Sequence, residues 1–163
     1  MSTTYRLRTF LAAASLCLST SATIASSTVP VSLETRAQGA DGIVVGSVER
    51  VTASYERNKY GDELIVSHAQ LVVGEVLKGR DLAPGQRVTL NVEGGTVGDV
   101  TLRVSDLPAV VPGDRAVFFL ERDPSGRLVP HLRGLGILKL DPANRVLGTS
   151  VSLGDVRSRV QGR

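Results

Sequence analysis

Asp41-Gly42-Ile43-Val44-Val45-Gly46-Ser47-Val48 opens a β-run that continues to Tyr55. The polar loop Glu56 to Asp62 follows. A second run, Glu63 to Val76, then ends in Leu77-Lys78-Gly79. Two long strands joined by a turn predict a barrel or sandwich built on a coiled hairpin. Within the first run, Val44, Gly46 and Val48 alternate on one face, while Val51, Ala53 and Tyr55 alternate in the opposite phase. A one-residue change of phase is what a β-bulge makes, and Glu49-Arg50 is its expected place. A bulged first strand containing Gly46 can serve two sheets, as small barrels require. In the second run Ala69, Leu71 and Val73 form an inward row that Ser67 extends. His68, Gln70 and Val72 alternate with it.

Downstream the pattern remains one of short strands. Arg87 to Glu93 alternates cleanly, with Val88, Leu90 and Val92 inside and Arg87, Thr89, Asn91 and Glu93 outside. Gly94-Gly95 breaks that strand, and Val100, Leu102 and Val104 form another alternating run. Leu107 to Gly113, with Pro108 and Pro112, reads as a crossing loop. Ala116-Val117-Phe118-Phe119-Leu120 is the most apolar strand and is expected at the centre. Asp123-Pro124-Ser125-Gly126 suits a turn. Leu128 to Leu132 returns, with Pro130 suggesting an edge or bulge. Gly134 to Leu140 is expected as a further strand, and Asp141-Pro142-Ala143-Asn144 turns into Arg145-Val146-Leu147. Helices are expected only near the ends. Ser32 can cap one or two turns that Gly39 ends. Ser152, followed three residues later by Asp155, resembles a helix start, with Leu153, Val156 and Val160 on one face.

The first residues read as an export signal. Arg6 and Arg8 precede a short apolar core, Phe10 to Leu18, and a small, polar stretch, Ser19 to Ala25. The apolar core falls short of the roughly 20 residues that span a bilayer. The expected organisation is a signal peptide over residues 1–25, cleaved after Ala25 with Ala22 as the alternative, and one domain over residues 26–163. The expected location is secreted or periplasmic, with no stable membrane insertion. Cleavage would remove Arg6 and Arg8 and take the formal charge from +3 to +1. It would also remove Cys17, the one cysteine, so disulfides are not the expected means of stability. Near-neutral charge and only four later aromatics, Tyr55, Tyr60, Phe118 and Phe119, argue against a nucleic-acid surface.

Three segments taken together carry a family resemblance. They are Ala40 to Val48, the strand closing on Glu75-Val76-Leu77-Lys78-Gly79, and Pro112-Gly113-Asp114-Arg115-Ala116-Val117-Phe118-Phe119-Leu120 with the later Gly134-Leu135-Gly136-Ile137-Leu138. Their order and spacing resemble the netrin-like, or tissue-inhibitor-of-metalloproteinases-like, OB-fold family over roughly residues 33–147. They resemble uncharacterised secreted bacterial members more than the animal inhibitors. The resemblance implies an all-β, small Greek-key OB-like β-barrel with short terminal helices. It also implies a protein partner, a co-secreted protease among the candidates. If cleavage follows Ala25, the arm Ser26-Ser27-Thr28-Val29-Pro30 loosely resembles the inhibitor amino terminus, with Val29-Pro30 at corresponding places. Those inhibitors begin with a zinc-chelating cysteine, which is missing here, so the chelating mechanism does not carry over.

The chain offers little marked chemistry. His68 and His131 are the only histidines and lie in no ligand-spaced motif. No Gly-x-Ser-x-Gly segment marks a nucleophile. Glu56, Asp62 and Glu63 fit a solvated turn, and no alternating acidic run suggests calcium. Gly94-Gly95 and Gly134-x-Gly136 precede no expected helix, which favours turn and close-packing roles over a phosphate cradle. Tyr55, Arg57, Asn58, Lys59 and Tyr60 gather at a hairpin tip, and tyrosine and arginine are residue types that anchor interfaces. The expected function is a secreted non-enzymatic binding module without cofactor or metal. It would engage a protein or cell-envelope component through Ser26, Ser27, Val29, Tyr55, Arg57 and Tyr60. The alternative is a secreted hydrolase using His68 or His131.

Overall fold

A computed structural model describes residues 31–58 and 60–162. The expected export signal and the arm residues Ser26, Ser27 and Val29 lie outside the described residues. The fold is mostly β, with two short helices, α1 (Leu33–Gly39) and α2 (Leu153–Val160). The strands are β1 (Gly42–Arg57), β2 (Glu63–Lys78), β3 (Arg87–Glu93), β4 (Gly95–Val97), β5 (Val100–Leu102), β6 (Arg115–Arg122), β7 (Leu128–Pro130) and β8 (Ile137–Lys139). Six of them form one sheet in the order β1–β2–β3–β7–β6–β8, and β4–β5 form a separate hairpin. β1 also pairs with β6, so the pairing path returns to its first strand. Every pairing is antiparallel except that of β3 with β7, where Leu90 faces Leu128.

The first strand behaves as its pattern predicts. Val48 faces Leu71 and Arg50 faces Gln70, so Glu49 is the extra residue of a bulge. Two further register shifts lie between Ile43 and Val44 and between Val45 and Gly46. From Ile43 to Ser47 the strand has partners on both sides, β2 and β6. Both of its faces are buried there. Val44 and Val48 enter one core cluster with Ala69, Leu71, Leu90 and Phe118. Ile43 and Val45 enter a second with Val117, Phe119, Leu153 and Val156. β6 divides likewise, which explains its unbroken apolar run: a strand covered on both faces has no polar face to show.

The helices cover the second cluster. Ser32 Oγ accepts the Thr35 backbone N–H at the start of α1, as expected. Its other end is held from across the chain, because Lys78 Nζ donates to the carbonyls of Ala37 (2.7 Å), Gln38 (3.1 Å) and Ala40 (2.7 Å). A cation at these unpaired carbonyls also suits the helix dipole. Ser152 and Asp155 form a reciprocal capping box on α2. Arg157 then ties α2 to Glu75 of β2 at 2.6 Å.

Four expectations need correction. Asn91 is not outside but 8% exposed, because β7 lies against that end of β3 and Asn91 Nδ2 donates to the Leu128 carbonyl at 3.1 Å. The alternating run at Val100, Leu102 and Val104 is strand only as far as Leu102, where its pairing with β4 ends. The 134–140 run begins with a 3-10 turn, Arg133–Gly136, and only Ile137–Lys139 is strand. Leu132, just before this turn, and Arg133, its first residue, stand at φ 55° and 57°. A Cβ on Gly134 would stand 1.8 Å from the Asp106 carbonyl oxygen, so close packing sets this turn. Pro130 marks no sheet edge either, because β7 sits between β3 and β6. Replacing Lys78 by methionine should lower the unfolding free energy by about 1–3 kcal/mol, since three carbonyls lose a charged donor. Urea denaturation followed by far-UV circular dichroism measures it, and an unchanged midpoint contradicts the capping role.

Candidate functional site

Beyond Ser47, β1 loses β6 as a partner and runs on with β2 alone to the turn at 58–62. Asn58 organises that turn. Its Oδ1 accepts the backbone N–H groups of Tyr60 (2.9 Å) and Asp62 (3.0 Å), and its Nδ2 donates to Asp62 Oδ2 at 3.1 Å. Gly61 supplies the left-handed residue, with φ 89°. A short asparagine side chain that binds backbone two and four residues on holds a turn in one shape. The turn displays Tyr60, 77% exposed, and Tyr55 is 47% exposed close to the end of β1. Arg57 is exposed at the last position of that strand. Tyr55, Arg57 and Tyr60 therefore do share one end of the hairpin.

The outer face of the same hairpin carries a polar network that sequence reasoning missed. Thr52 faces His68 across β1–β2, and His68 faces Asn91 across β2–β3, so these positions share a side of the sheet with Ser54 and Glu56. Asn91 Nδ2 is committed to the Leu128 carbonyl. Its Oδ1 must then be the atom that accepts from His68 Nδ1, at 2.8 Å. That places a proton on Nδ1 and turns Nε2 toward Ser54 Oγ (3.0 Å) and Glu56 Oε1 (3.0 Å). A neutral ring accepts the Ser54 hydroxyl proton at Nε2, whereas a protonated ring donates to the Glu56 carboxylate. Glu56 Oε2 accepts from Arg127 Nη1 at 2.6 Å, and Arg127 Nε donates to Asp123 at 3.0 Å. The Arg127 pKa is raised above the ordinary arginine value, chiefly by its bond to Glu56 and then by that to Asp123.

Asp123 closes the network through the β6–β7 turn. Its carboxylate accepts from the Ser125 hydroxyl (2.6 Å) and from the backbone N–H groups of Ser125 and Arg127. The Ser125 bond is the largest influence holding this carboxyl at about 2, below the ordinary 3.8, and the bonds from Arg127 add to it.

His131 stands apart from this network. Its Nδ1 bonds Glu121 Oε2, and its ring packs so closely on α1 that a Cβ at Gly39 would lie 2.5 Å from Nε2. The two histidines thus have separate partners. Among the described residues, no group of three or more histidine, cysteine or acidic side chains could hold a metal ion. Asp62 is bonded to Asn58 and Glu56 to Arg127, so the acidic residues of the hairpin do not converge as a carboxylate pair. No protein-family model matches this chain, and no curated protein matches it.

Because the Asp123 pKa is depressed, the stability it gives the turn is complete above pH 3.8 and is lost as pH falls toward 2. A carbon-13 NMR titration should place the Asp123 midpoint at about 2, with Ser125→Ala moving it upward. A native midpoint at 3.8 contradicts the network.

Proposed function

We propose that this chain is an exported, non-enzymatic binding module with a small Greek-key, OB-like barrel fold. It engages a protein or cell-envelope partner through the tip of its first hairpin. The pairing path that leaves β1, passes β2, β3, β7 and β6 and returns to β1 supports the barrel. The observation that carries the function is the display of Tyr55, Arg57 and Tyr60 on a turn already shaped by Asn58. Aromatic and arginine side chains contribute most to interfaces when ordering them on binding loses little entropy. The arm at Ser26, Ser27 and Val29 joins this surface in the proposal, and a co-secreted protease is the partner class that the family resemblance suggests. Affinity capture from the secreting cells should recover one partner with the native protein. Tyr55→Ala with Tyr60→Ala should weaken capture by about tenfold or more, and removal of residues 26–31 should weaken it further. Unchanged capture by both variants removes this surface from the reading.

A second reading has an observation of its own. Ser54 Oγ, His68 Nε2, His68 Nδ1 and Asn91 Oδ1 follow one another at 3.0 and 2.8 Å, the order of a nucleophile, its base and the group that orients the base. In a hydrolase built on them, Ser54 Oγ would add to an acyl carbon while its proton passes to His68. The leaving alcohol would take that proton, and water would release the acyl group. Glu56 opposes this chemistry, because it competes for the same ring nitrogen. A fluorophosphonate probe decides between the two: labelling lost in Ser54→Ala and in His68→Ala supports the hydrolase, and no labelling of the native protein leaves the binding module.

A further inference from the structure

β3 ends where Gly94 and Gly95 adopt φ 103° and 131°. A Cβ at Gly95 would stand 2.4 Å from Ser67 Oγ and 3.2 Å from the Ala53 Cβ. The missing side chains therefore let the β4–β5 hairpin fold down across β1 and β2. This hairpin and residues 103–112 cover one end of the main core, and they cover it loosely. Leu107 and Val110 pack against the core cluster but stay half-exposed, as does Val51. Between cover and sheet lies a cavity of about 630 Å³. Small-molecule sites typically occupy about 300–1,000 Å³.

The walls define the ligand. Eleven of the twenty lining residues are apolar, among them Val51, Ala53 and Val92 on the strands and Leu102, Val104 and Leu107 on the cover, and the others are glycine, hydroxyl-bearing or charged. Among the described lining residues none is aromatic, which suits a pliable chain better than a planar ring. Two charged residues are among those lining the cavity, Glu93 and Arg103. Glu93 is paired with Arg133 at 3.1 Å, and Arg133 also holds Asp106 at 2.6 Å. Arg103 is exposed and, among the described residues, makes no ion pair or hydrogen bond. One uncommitted guanidinium beside an aliphatic chamber fits one kind of molecule. We propose that the cavity binds a single-chain amphiphilic carboxylate, with its hydrocarbon tail between sheet and cover and its headgroup on Arg103. The tail would remove half-exposed aliphatic side chains from water, and the guanidinium fork matches a carboxylate with two parallel bonds. The inference stands apart from the hairpin-tip reading, because Tyr55 and Tyr60 do not line the cavity.

The test is displacement of bound anilinonaphthalene sulfonate from the purified protein, with competitors kept below their micellar concentrations. Dodecanoate should displace the dye saturably, and dodecyltrimethylammonium should do so at least about tenfold more weakly. Arg103→Glu should weaken dodecanoate by about tenfold while leaving dodecanol unchanged. Val104→Trp, which fills the chamber from the cover, should weaken both. Amide shift changes on adding dodecanoate to the native protein should fall on Ala53, Thr96 and Leu102, which locates the site even if Val104→Trp does not fold. No displacement, equal binding of the cation and the carboxylate, an unaffected Arg103→Glu, or shifts confined to the hairpin tip would each overturn the proposal.

Discussion

Two-sided pairing of β1 is the constraint on which the rest of this structure depends. From Ile43 to Ser47 one strand bonds both β2 and β6. Partners on both sides and core on both faces leave no polar side chain a place to stand except at Ser47. The strand must also bend to meet both neighbours. Glu49 supplies an extra residue, and Gly46 supplies a close approach, since a Cβ there would lie 3.0 Å from the Val72 carbonyl oxygen. The outer apolar face then needs a cover. α1, α2 and the segment carrying Leu140 and Val146 provide it. Lys78 and Arg157 are the polar ties that hold the two helices to β2.

Where β6 stops pairing, the same strand changes character. Past Val48 its outer face carries Thr52, Ser54 and Glu56, and the sheet there is cross-linked by side chains instead of being buried under helices. His68 joins β1, β2 and β3, and Arg127 extends the connection to the β6–β7 turn. This arrangement stiffens the base of the hairpin that presents Tyr55 and Tyr60. It also sets a contest at one nitrogen, because Ser54 and Glu56 both face His68 Nε2. Both groups lie 3.0 Å from that nitrogen, one a hydroxyl and the other a carboxylate.

The opposite face of the hairpin base meets a different fate. There Ser67, Gly94 and Gly95 let a small hairpin approach closely, and Ser67 Oγ donates to the Gly94 carbonyl at 2.7 Å. The cover that follows contributes aliphatic side chains without filling the space beneath it. One strand pair therefore supports three distinct surfaces: a displayed tip, a bonded polar face and a chamber.

Much of this was legible locally. The alternation of Ala69, Leu71 and Val73 identified an inward row, because a strand repeats every two residues. The phase change at Glu49-Arg50 located the bulge. Ser152 with Asp155, and Asp123 with Ser125, announced a helix cap and a turn, because those bonds close within three residues. The exposed tyrosines were legible for the same reason: a hairpin tip lies far from any core. What only the tertiary structure decided lies at long separation. Asn91 alternates with Val92 like any outward residue, and it is buried because a strand from residues 128–130 lies beside it. Ser54 and Asn91 stand 14 and 23 positions from His68, and no spacing rule joins them until two strand registers are set. Gly134 and Gly136 resemble strand residues until the backbone of Asp106 and His131 is packed against them. Periodicity encodes which side a residue faces, but not what another part of the chain brings to that side.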